Sequence, residues 1–487
     1  MTLRVFEAFA GVGTQRMALE RLGIKHEVVG IAEVDEFAIN SYAAIHEEGE
    51  EVVDVSEDEM RDYLRKLNIP LNDQGKLKNP RGKKLKNVYT SSKKVRNLGD
   101  ISKINVENVP DHDLFTYSFP CQDISVAGKG KGFSKDSGTR SGLLWESERI
   151  IKAKKPKYLL MENVKNLIGK KFMPGFQEWI MYLESLGYSN YYEVLNASDF
   201  GIPQNRERVF MVSILGEHEP YVFPKPIKLE KRLKDVLEDE VDEKYYLDDE
   251  RAQQLIATIT DEKDMNGVIE PERILGIFDK ENRTHQSGSV YNKDKIAPTL
   301  DTMQGGWRQP SIIEGIPIKN ATEQGYLIAK DGDGVDLAYP TSTTRRGRVQ
   351  ENISQTLTTD DSKGVVELVA KEKFGRMGEQ AVRTQNKLRL PHGETLNPWN
   401  EEQSSTNGVA PTLTTRPEGV KTAINVTDQY RIRKLTPLEC WRLMGISDED
   451  FYKAQAVNSN TQLYKQAGNA IVVDVLVAIF RELFSNR

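Results

Sequence analysis

The chain has 487 residues, 38% of them apolar and 29% charged, which suits roughly two to four folded units with real cores. Its 67 basic and 73 acidic residues leave a net charge of −6, arguing against a simple nucleic-acid coating protein without excluding an enzyme that works on DNA. Two cysteines, Cys121 and Cys440, exclude a disulfide framework and a four-cysteine zinc site, and they point to a reducing, cytoplasmic setting; MTLRVFEAFAG at the start lacks the features of a secretory signal, and no apolar run approaches the length of a membrane span.

Residues 1 to about 217 alternate strand and helix patterns. Leu3 to Phe9 reads as a strand ending in Ala10-Gly11-Val12-Gly13, and Thr14 to Leu22 follows with Met17, Ala18, Leu19 and Leu22 at helical spacing. Val28 to Ala32 is a second strand that runs out into Glu33 and Asp35. Asp113 to Phe119 ends at Pro120-Cys121, Trp145 to Ala153 is helical, Tyr158 to Met161 ends at Glu162-Asn163, and Val209 to Leu215 follows Gln204-Asn205-Arg206-Glu207-Arg208. Such alternation predicts a largely parallel, doubly wound sheet.

Between residues 47 and 97 the alternation breaks. Residues 47–62 carry nine acids and one Arg, and residues 76–96 carry nine Lys or Arg and no acid. This is an insertion, read either as a solvated excursion or as a phosphate-contacting arm built from Lys83, Lys84, Lys86, Lys93, Lys94 and Arg96. Prolines at 220, 224 and 226 mark a linker. Residues 227–430 are rich in Thr, Gly, Asn and Gln with short strand-like runs, and a weak repeat recurs at Ala297-Pro298-Thr299-Leu300, Ser354-Gln355-Thr356-Leu357 and Ala410-Pro411-Thr412-Leu413. The copies are either equivalent ligand-approaching loops or repeated hairpin turns. Thr436, Pro437 and Glu439 form a helix start, and Ile471 to Leu483 is an apolar final helix.

The residues with chemical capacity cluster at strand ends. A glycine turn between strand and helix lets a ligand approach backbone amides, although Arg16 stands where a dinucleotide fingerprint has its third glycine. Glu33 at the end of the next strand suits ribose hydroxyls. Cys121 follows Pro120 at a strand end and precedes a polar, glycine-rich loop, so it is either a nucleophile or a small buried residue. Glu162 is either a satisfied cap or a carboxyl whose environment holds a proton on it. Gln204 to Arg208 is either a charged turn or a site element.

As an ordered set, Phe9-x-Gly11-x-Gly13, Pro120-Cys121-Gln122, Glu162-Asn163-Val164, Gln204-x-Arg206-x-Arg208, Arg433-x-Leu435-Thr436-Pro437-x-Glu439-Cys440 and Gly468-Asn469-Ala470 resemble the cytosine-C5 DNA methyltransferase family of prokaryotic or phage type, over about residues 1–46, 98–217 and 430–487. The resemblance implies a Rossmann-like, doubly wound α/β catalytic domain over 1–217, with the insertion at about 47–97 and completion by 465–487. It also implies a mixed, strand-rich target-recognition domain over 227–430 and a connecting helical region over 431–464. S-adenosylmethionine is the implied cofactor, held by Phe9, Gly11, Gly13, Glu33, Asp100, Ile101, Pro120, Leu143 and Asn469. Cys121 is the implied nucleophile toward a flipped-out cytosine, with Glu162 at N3 and Arg208 at O2, Arg206 beside it. Gln122 and Ser125 are expected DNA contacts, Arg345-Arg346-Gly347-Arg348 is either a compact basic loop that reaches phosphate or guanine or a solvated loop, and no metal is implied. Double-stranded DNA is the implied partner of a monomer associated with the nucleoid, with a cognate restriction endonuclease as an optional partner acting separately. Glu7, Thr14 and Val34 depart from the family's usual residues. The rivals are a tRNA cytosine-C5 methyltransferase, disfavoured by the large second domain, a DNA-binding regulator with a relict pocket, disfavoured by intact Cys121, Glu162 and Arg208, and a nicotinamide dehydrogenase, disfavoured by Arg16.

Chemistry requires these groups. Cytosine C5 is a poor nucleophile until a thiolate adds to C6. A hydrogen bond or proton at N3 and a cation at O2 stabilise the charge that then develops. A stacked base must leave the duplex to be reached, at a cost of a few kcal/mol.

Overall fold

A computed structural model describes residues 2–49, 54–70, 81–120, 143–248, 271–277, 288–303, 307–314 and 431–484, together with the backbone of short strands between 316 and 365. The chain divides into two compact units. The first comprises Met1–Glu238, Asp294–Arg308 and Thr436–Arg487, and the second comprises Asp239–Lys293 and Gln309–Leu435.

The first unit is built on a six-stranded sheet. In chain order its strands are β1 (Leu3–Ala8), β2 (His26–Ala32), β3 (Leu114–Tyr117), β4 (Tyr158–Val164), β5 (Tyr188–Asn196) and β6 (Glu207–Leu215), and their spatial order is β2-β1-β3-β4-β6-β5. The first four run parallel, whereas β6 is antiparallel to both β4 and β5. The sheet is therefore mixed at one end. Strand β1 is buried at every position but Arg4, as expected of a central strand covered on both faces. The edge strand β5 escapes a sequence reading because Ser189, Asn190 and Glu193 interrupt it, and its burial pattern is only partial.

Helices connect the parallel strands. They are α1 (Thr14–Arg21), α2 (Glu36–His46), α3 (Glu57–Lys66), α4 (Gly82–Lys94), α5 (Leu144–Lys154) and α6 (Met173–Ser185). The core between sheet and helices is aromatic: Phe115 stacks on Phe6 and Tyr117, and Trp145 and Trp179 meet edge to face at 5.4 Å. The returning chain forms α7 (Pro437–Arg442), α8 (Asp448–Gln455), α9 (Asn460–Asn469) and α10 (Val473–Phe484). Helix α7 begins with a capping box between Thr436 and Glu439. Helix α10 packs on α1, and Asp474 at its start pairs with Arg21 at 3.2 Å. Of residues 431–464, expected as a connector, 436–464 lie in this compact unit together with 465–487, whereas 431–435 belong to the second unit. Residues 218–238 and 294–308 also lie in the first unit.

Among its described residues the insertion forms a pair of helices. Ser56 caps α3 with a capping box, and α3 and α4 enclose a small core of Met60, Leu64, Ile69, Leu85, Val88 and Tyr89 that also takes in Ile39 of α2. Four residues of the expected basic arm have partners within the chain, although Lys84, Lys93 and Arg96, like Lys83 and Lys86, remain exposed. Lys84 pairs with Glu36 at 2.8 Å, Arg96 pairs with Glu27 at 2.8 Å, Lys93 lies 4.5 Å over the Tyr63 ring, and Lys94 donates to the Gly49 carbonyl.

The second unit has a four-stranded sheet of β7 (Arg273–Gly276), β8 (Ser289–Tyr291), β9 (Ser311–Glu314) and β15 (Arg431–Lys434), in the order β15-β9-β8-β7. Smaller sheets join β10 (Ile316–Lys319) to β11 (Tyr326–Ala329), and β12 (Gly334–Asp336) to β13 (Val349–Gln350) and β14 (Lys363–Val365). Arg433 is wholly buried and bonds Glu314 at 2.6 Å, while Tyr246 donates to the other Glu314 oxygen at 2.6 Å. A charge buried in this way needs such a partner. Among the described residues, no helix is long and apolar enough to cross a membrane.

Candidate active site

The glycine turn follows from β1 meeting α1 abruptly. Phe9, Gly11 and Gly13 all have positive φ. Gly13 is the residue the turn cannot replace: its φ is 78°, and a Cβ there would sit 2.6 Å from the Tyr42 ring and overlap the His46 imidazole. It occupies the N-cap of α1, and no side chain caps that helix, so its first-turn amides remain open to a ligand.

The two acids after β2 have different tasks. Asp35 caps α2, accepting from the Phe37 and Ala38 amides, and pairs with Lys465 of α9 at 2.6 Å. Glu33 instead lies against the turn: it accepts from Gly11 N at 2.9 Å, Val34 N at 2.7 Å and Asp35 N at 2.8 Å. Burial, and next the neighbouring Asp35 carboxylate, push the Glu33 carboxyl above its ordinary range against these amide bonds. Asn97, which motif reading missed, holds the main chain here. Its Oδ1 accepts from Glu33 N and Gly99 N, and its Nδ2 donates to the Glu33 carbonyl. Its only sequence signal is an amide side chain at the end of a basic run.

A cavity of about 630 Å³ in the first unit opens onto these groups. Phe9, Gly11, Glu33, Asp100, Ile101, Pro120, Leu143 and Asn469 all line it, so eight of the nine expected cofactor positions share one wall system. Thr14 and Val34 also line it. Glu7 lies beneath the turn, fully buried, and accepts from the Tyr42 hydroxyl at 2.8 Å.

Glu162 and Arg208 line the same cavity. Strand β4 carries Glu162, β6 carries Arg208, and the antiparallel register pairs Val164 with Arg208. Arg208 Nε lies 3.2 Å from Glu162 Oε1, and the Ser118 hydroxyl donates to Oε2. Glu162 thus has one oxygen beside a guanidinium and the other beside a hydroxyl. Ser118 was missed by motif reading, although the β3–β4 register, with Tyr117 opposite Met161, places it beside Glu162. Asn163 Nδ2 donates to the Phe119 carbonyl at 2.9 Å, which ties the strand end to the backbone just before Pro120.

Arg206 and Arg208 have distinct surroundings. Arg206 is buried, and its guanidinium donates to the carbonyls of Leu300, Gly468 and Ala470, each at 2.9 Å. It also lines the cavity wall, but its charge is committed to holding three separate chain segments together. In this arrangement it positions the site, and Arg208 presents the guanidinium beside Glu162. The first repeat copy joins the same assembly: Ala297 bonds Pro203 and Asn205 through its backbone, and Thr299 donates to the Asn205 carbonyl at 2.6 Å. This copy thus belongs to the first unit rather than to a recognition domain.

Cys121, Gln122, Ser125, Arg345, Arg346 and Arg348 lie outside the described residues, as do the repeat copies at 354–357 and 410–413. Cys440 is wholly buried in α7, and burial, followed by Glu439 and Asp301, pushes its thiol well above the usual range. It is an inert packing residue. Among the described residues, no cluster of His, Cys, Asp or Glu is arranged to hold a metal ion.

A mostly parallel sheet with its cavity at the carboxyl ends of the strands defines an α/β enzyme whose chemistry sits at those ends. The family model of C-5 cytosine-specific DNA methylases matches residues 71–485. The type II methyltransferase M2.ScrFI of Lactococcus lactis subsp. cremoris is 37% identical over 100% of both chains. The orphan methyltransferase M.SssI of Spiroplasma monobiae is 40% identical over 68% of this chain and 87% of its own length, and the orphan methyltransferase M.SPRI of Bacillus phage SPR is 30% identical over 99% and 97%. The chain belongs to the C-5 cytosine-specific DNA methylase family and is a DNA cytosine-5-methyltransferase.

Proposed function

We propose that this enzyme transfers a methyl group from S-adenosylmethionine to C5 of a flipped-out cytosine in a specific short duplex sequence, with Cys121 bonded to C6 during turnover. The observation that carries the reading is one cavity bordered by two kinds of chemistry. The glycine turn, Glu33 and Asp100 line one part, the Glu162–Arg208 pair lines another, and Pro120, the residue before Cys121, lies in the same wall.

The cavity fits the cofactor. Its volume is that of a small-molecule site, a Cβ at Gly11 would meet only open space, and Glu33 keeps acceptor capacity beyond its three amide bonds. Glu33 would hold the ribose, Asp100 and Ile101 the adenine, and Phe9, Leu143, Pro120 and Asn469 the remaining walls, with Gly13 setting the turn that carries Gly11. Bound there, S-adenosylmethionine supplies an electrophilic methyl group.

The protein's own groups prepare the base. The Cys121 thiolate adds to C6 while Glu162 gives a proton to N3, so the ring's charge is neutralised and C5 becomes enamine-like. The Arg208 guanidinium stabilises both charge at O2 and the Glu162 carboxylate left behind, and Ser118 holds the second oxygen of that carboxylate. After C5 has taken its methyl group, its proton leaves to water, N3 returns its proton to Glu162, and the thiolate is expelled.

The second unit is the part we assign to reading flanking bases, with Arg345, Arg346 and Arg348 as contacts to phosphate or guanine, and Gln122 and Ser125 as contacts beside the target. The enzyme acts as a monomer on double-stranded DNA, and any restriction endonuclease acts separately. The test is incorporation of labelled methyl groups into duplex DNA and into tRNA. Duplex DNA should be labelled, Cys121→Ser should abolish labelling while leaving DNA binding, and bisulfite sequencing should return one recognition sequence. Substantial turnover by the serine variant, or labelling of tRNA alone, would refute the reading.

A further inference from the structure

We propose that the inserted helix pair is part of the cofactor site, and that Asn68 at the end of α3 is a positioning residue that fixes Asp100 for the 6-amino edge of adenine. This rests on the reading of the cavity as the S-adenosylmethionine site.

The insertion turns back into the site immediately after α3. Asn68 takes a left-handed backbone with φ 53°, which reverses the chain so that Asn68 and Pro70 line the same cavity as Asp100 and Ile101. Asn68 Nδ2 donates to Asp100 Oδ2 at 2.6 Å. The main chains are joined as well: Asp100 N donates to the Leu67 carbonyl at 2.9 Å. Gly99 makes this approach close, since it has φ 76° and a Cβ there would overlap the Leu67 carbonyl.

Asp100 is consequently held from two sides. Ser102 N and Oγ donate to Oδ1 at 2.9 and 2.8 Å, and Asn68 alone of the described side chains donates to Oδ2. A carboxylate oxygen with one donor has room for a second. Oδ2 is therefore an oriented acceptor at the cavity wall, and the insertion sets its direction. An acceptor there favours a ring edge bearing an amino donor and disfavours one bearing a carbonyl, because the latter would leave two acceptors facing each other. The insertion is stiff enough for this role: Leu64 and Ile69 are wholly buried in its core, and Lys84 pairs it to Glu36 of α2.

The experiment compares two probes on the full-length enzyme by calorimetry: S-adenosylhomocysteine, and S-inosylhomocysteine, in which a carbonyl replaces the amino group. Asn68→Gly is the informative variant, because glycine accepts the left-handed backbone and removes only the amide. The wild type should prefer the adenosyl probe, and Asn68→Gly should reduce that preference by about tenfold, the scale of one oriented hydrogen bond. Asn68→Asp, which sets a second carboxylate against Asp100, should reduce it at least as much. Because the readout is a ratio of two affinities in one protein, a loss of folded fraction cancels. A packing role for Asn68 would weaken both probes alike and leave the ratio at the wild-type value; that result overturns the proposal and leaves the cofactor reading standing. Failure of the wild type to bind the adenosyl probe overturns both.

Discussion

The two arginines of the Gln204–Arg208 segment should fail in opposite ways when removed. Arg206→Ala takes away a buried guanidinium that bonds three carbonyls at 2.9 Å from segments around residues 300 and 469. Hydrogen bonds to a charged donor contribute about 1.5–3 kcal/mol each, but they are not additive and water enters the vacated space. A net loss of about 3–5 kcal/mol is expected, the usual cost of breaking a buried polar network. For a unit of this size that lowers the melting temperature by roughly 5–8 °C. Arg206→Lys should recover only part of it, since an ammonium cannot match a planar fork to three separated acceptors. Arg208→Ala should melt within about 2 kcal/mol of the wild type, because its partners are one carboxylate oxygen at 3.2 Å and the carbonyl of Glu207. Its turnover should fall by about 10²–10³-fold, the scale for losing one preorganised donor to developing charge. Thermal melting and single-turnover methylation of the two variants decide the matter. If Arg206→Ala melts like the wild type and loses only turnover, Arg206 touches the reacting base and its assignment as a clamp is wrong.

Other perturbations have equally defined outcomes. Gly13→Ala should weaken S-adenosylhomocysteine binding by more than about tenfold in calorimetry, because the left-handed backbone costs about 1–2 kcal/mol and the new Cβ meets Tyr42 and His46; unchanged affinity would remove the turn from the cofactor site. Ser118→Ala removes the donor to Glu162 Oε2 with little change of shape, so kcat should fall about tenfold while cofactor affinity holds; unaltered kcat would make Ser118 a packing residue. Stability should also depend on His112, which is buried against Phe6 and Phe115 and whose pKa burial lowers from 6.5 to about 4. The unfolded chain takes up that proton first as pH falls, so stability is full above about pH 6.5, declines through the interval down to about 4, and loses about 3 kcal/mol there. The pH dependence of the urea midpoint should be shallower in His112→Phe by that amount, and identical profiles would show that His112 does not titrate in this window.

Much of the first unit is legible along the chain. The strands ending at Ala8, Ala32, Tyr117 and Val164 announce themselves as apolar runs, because burial on both sheet faces leaves a continuous apolar signature, although β4 runs on through Glu162 to Val164, past the end at Met161 read from the sequence. The motif order, the helix start at Thr436 and the last helix are legible for the same reason: each is set by neighbours within a few residues. The edge strand β5 and the reversed β6 are less legible, since an edge strand is only half buried and strand direction leaves no periodic trace.

The division of labour among the polar residues was decided by tertiary structure. Glu33 and Asp35 are two acids one residue apart that both line the cavity, and which of them is taken up by a helix cap depends on α2 beginning where Asp35 can cap it. Arg206 and Arg208 have the same chemistry and lie on one short segment. Only the return of chain 94 and 264 residues further on separates a clamp from a site residue. Likewise, the insertion read as a charged excursion, yet Asn68 reaches Asp100 across 32 residues of sequence. A sequence pattern records whether a side chain is buried, because burial repeats with the period of the local helix or strand. It does not record which polar partner is met there, because that partner is delivered by distant chain whose arrival only the packed core fixes.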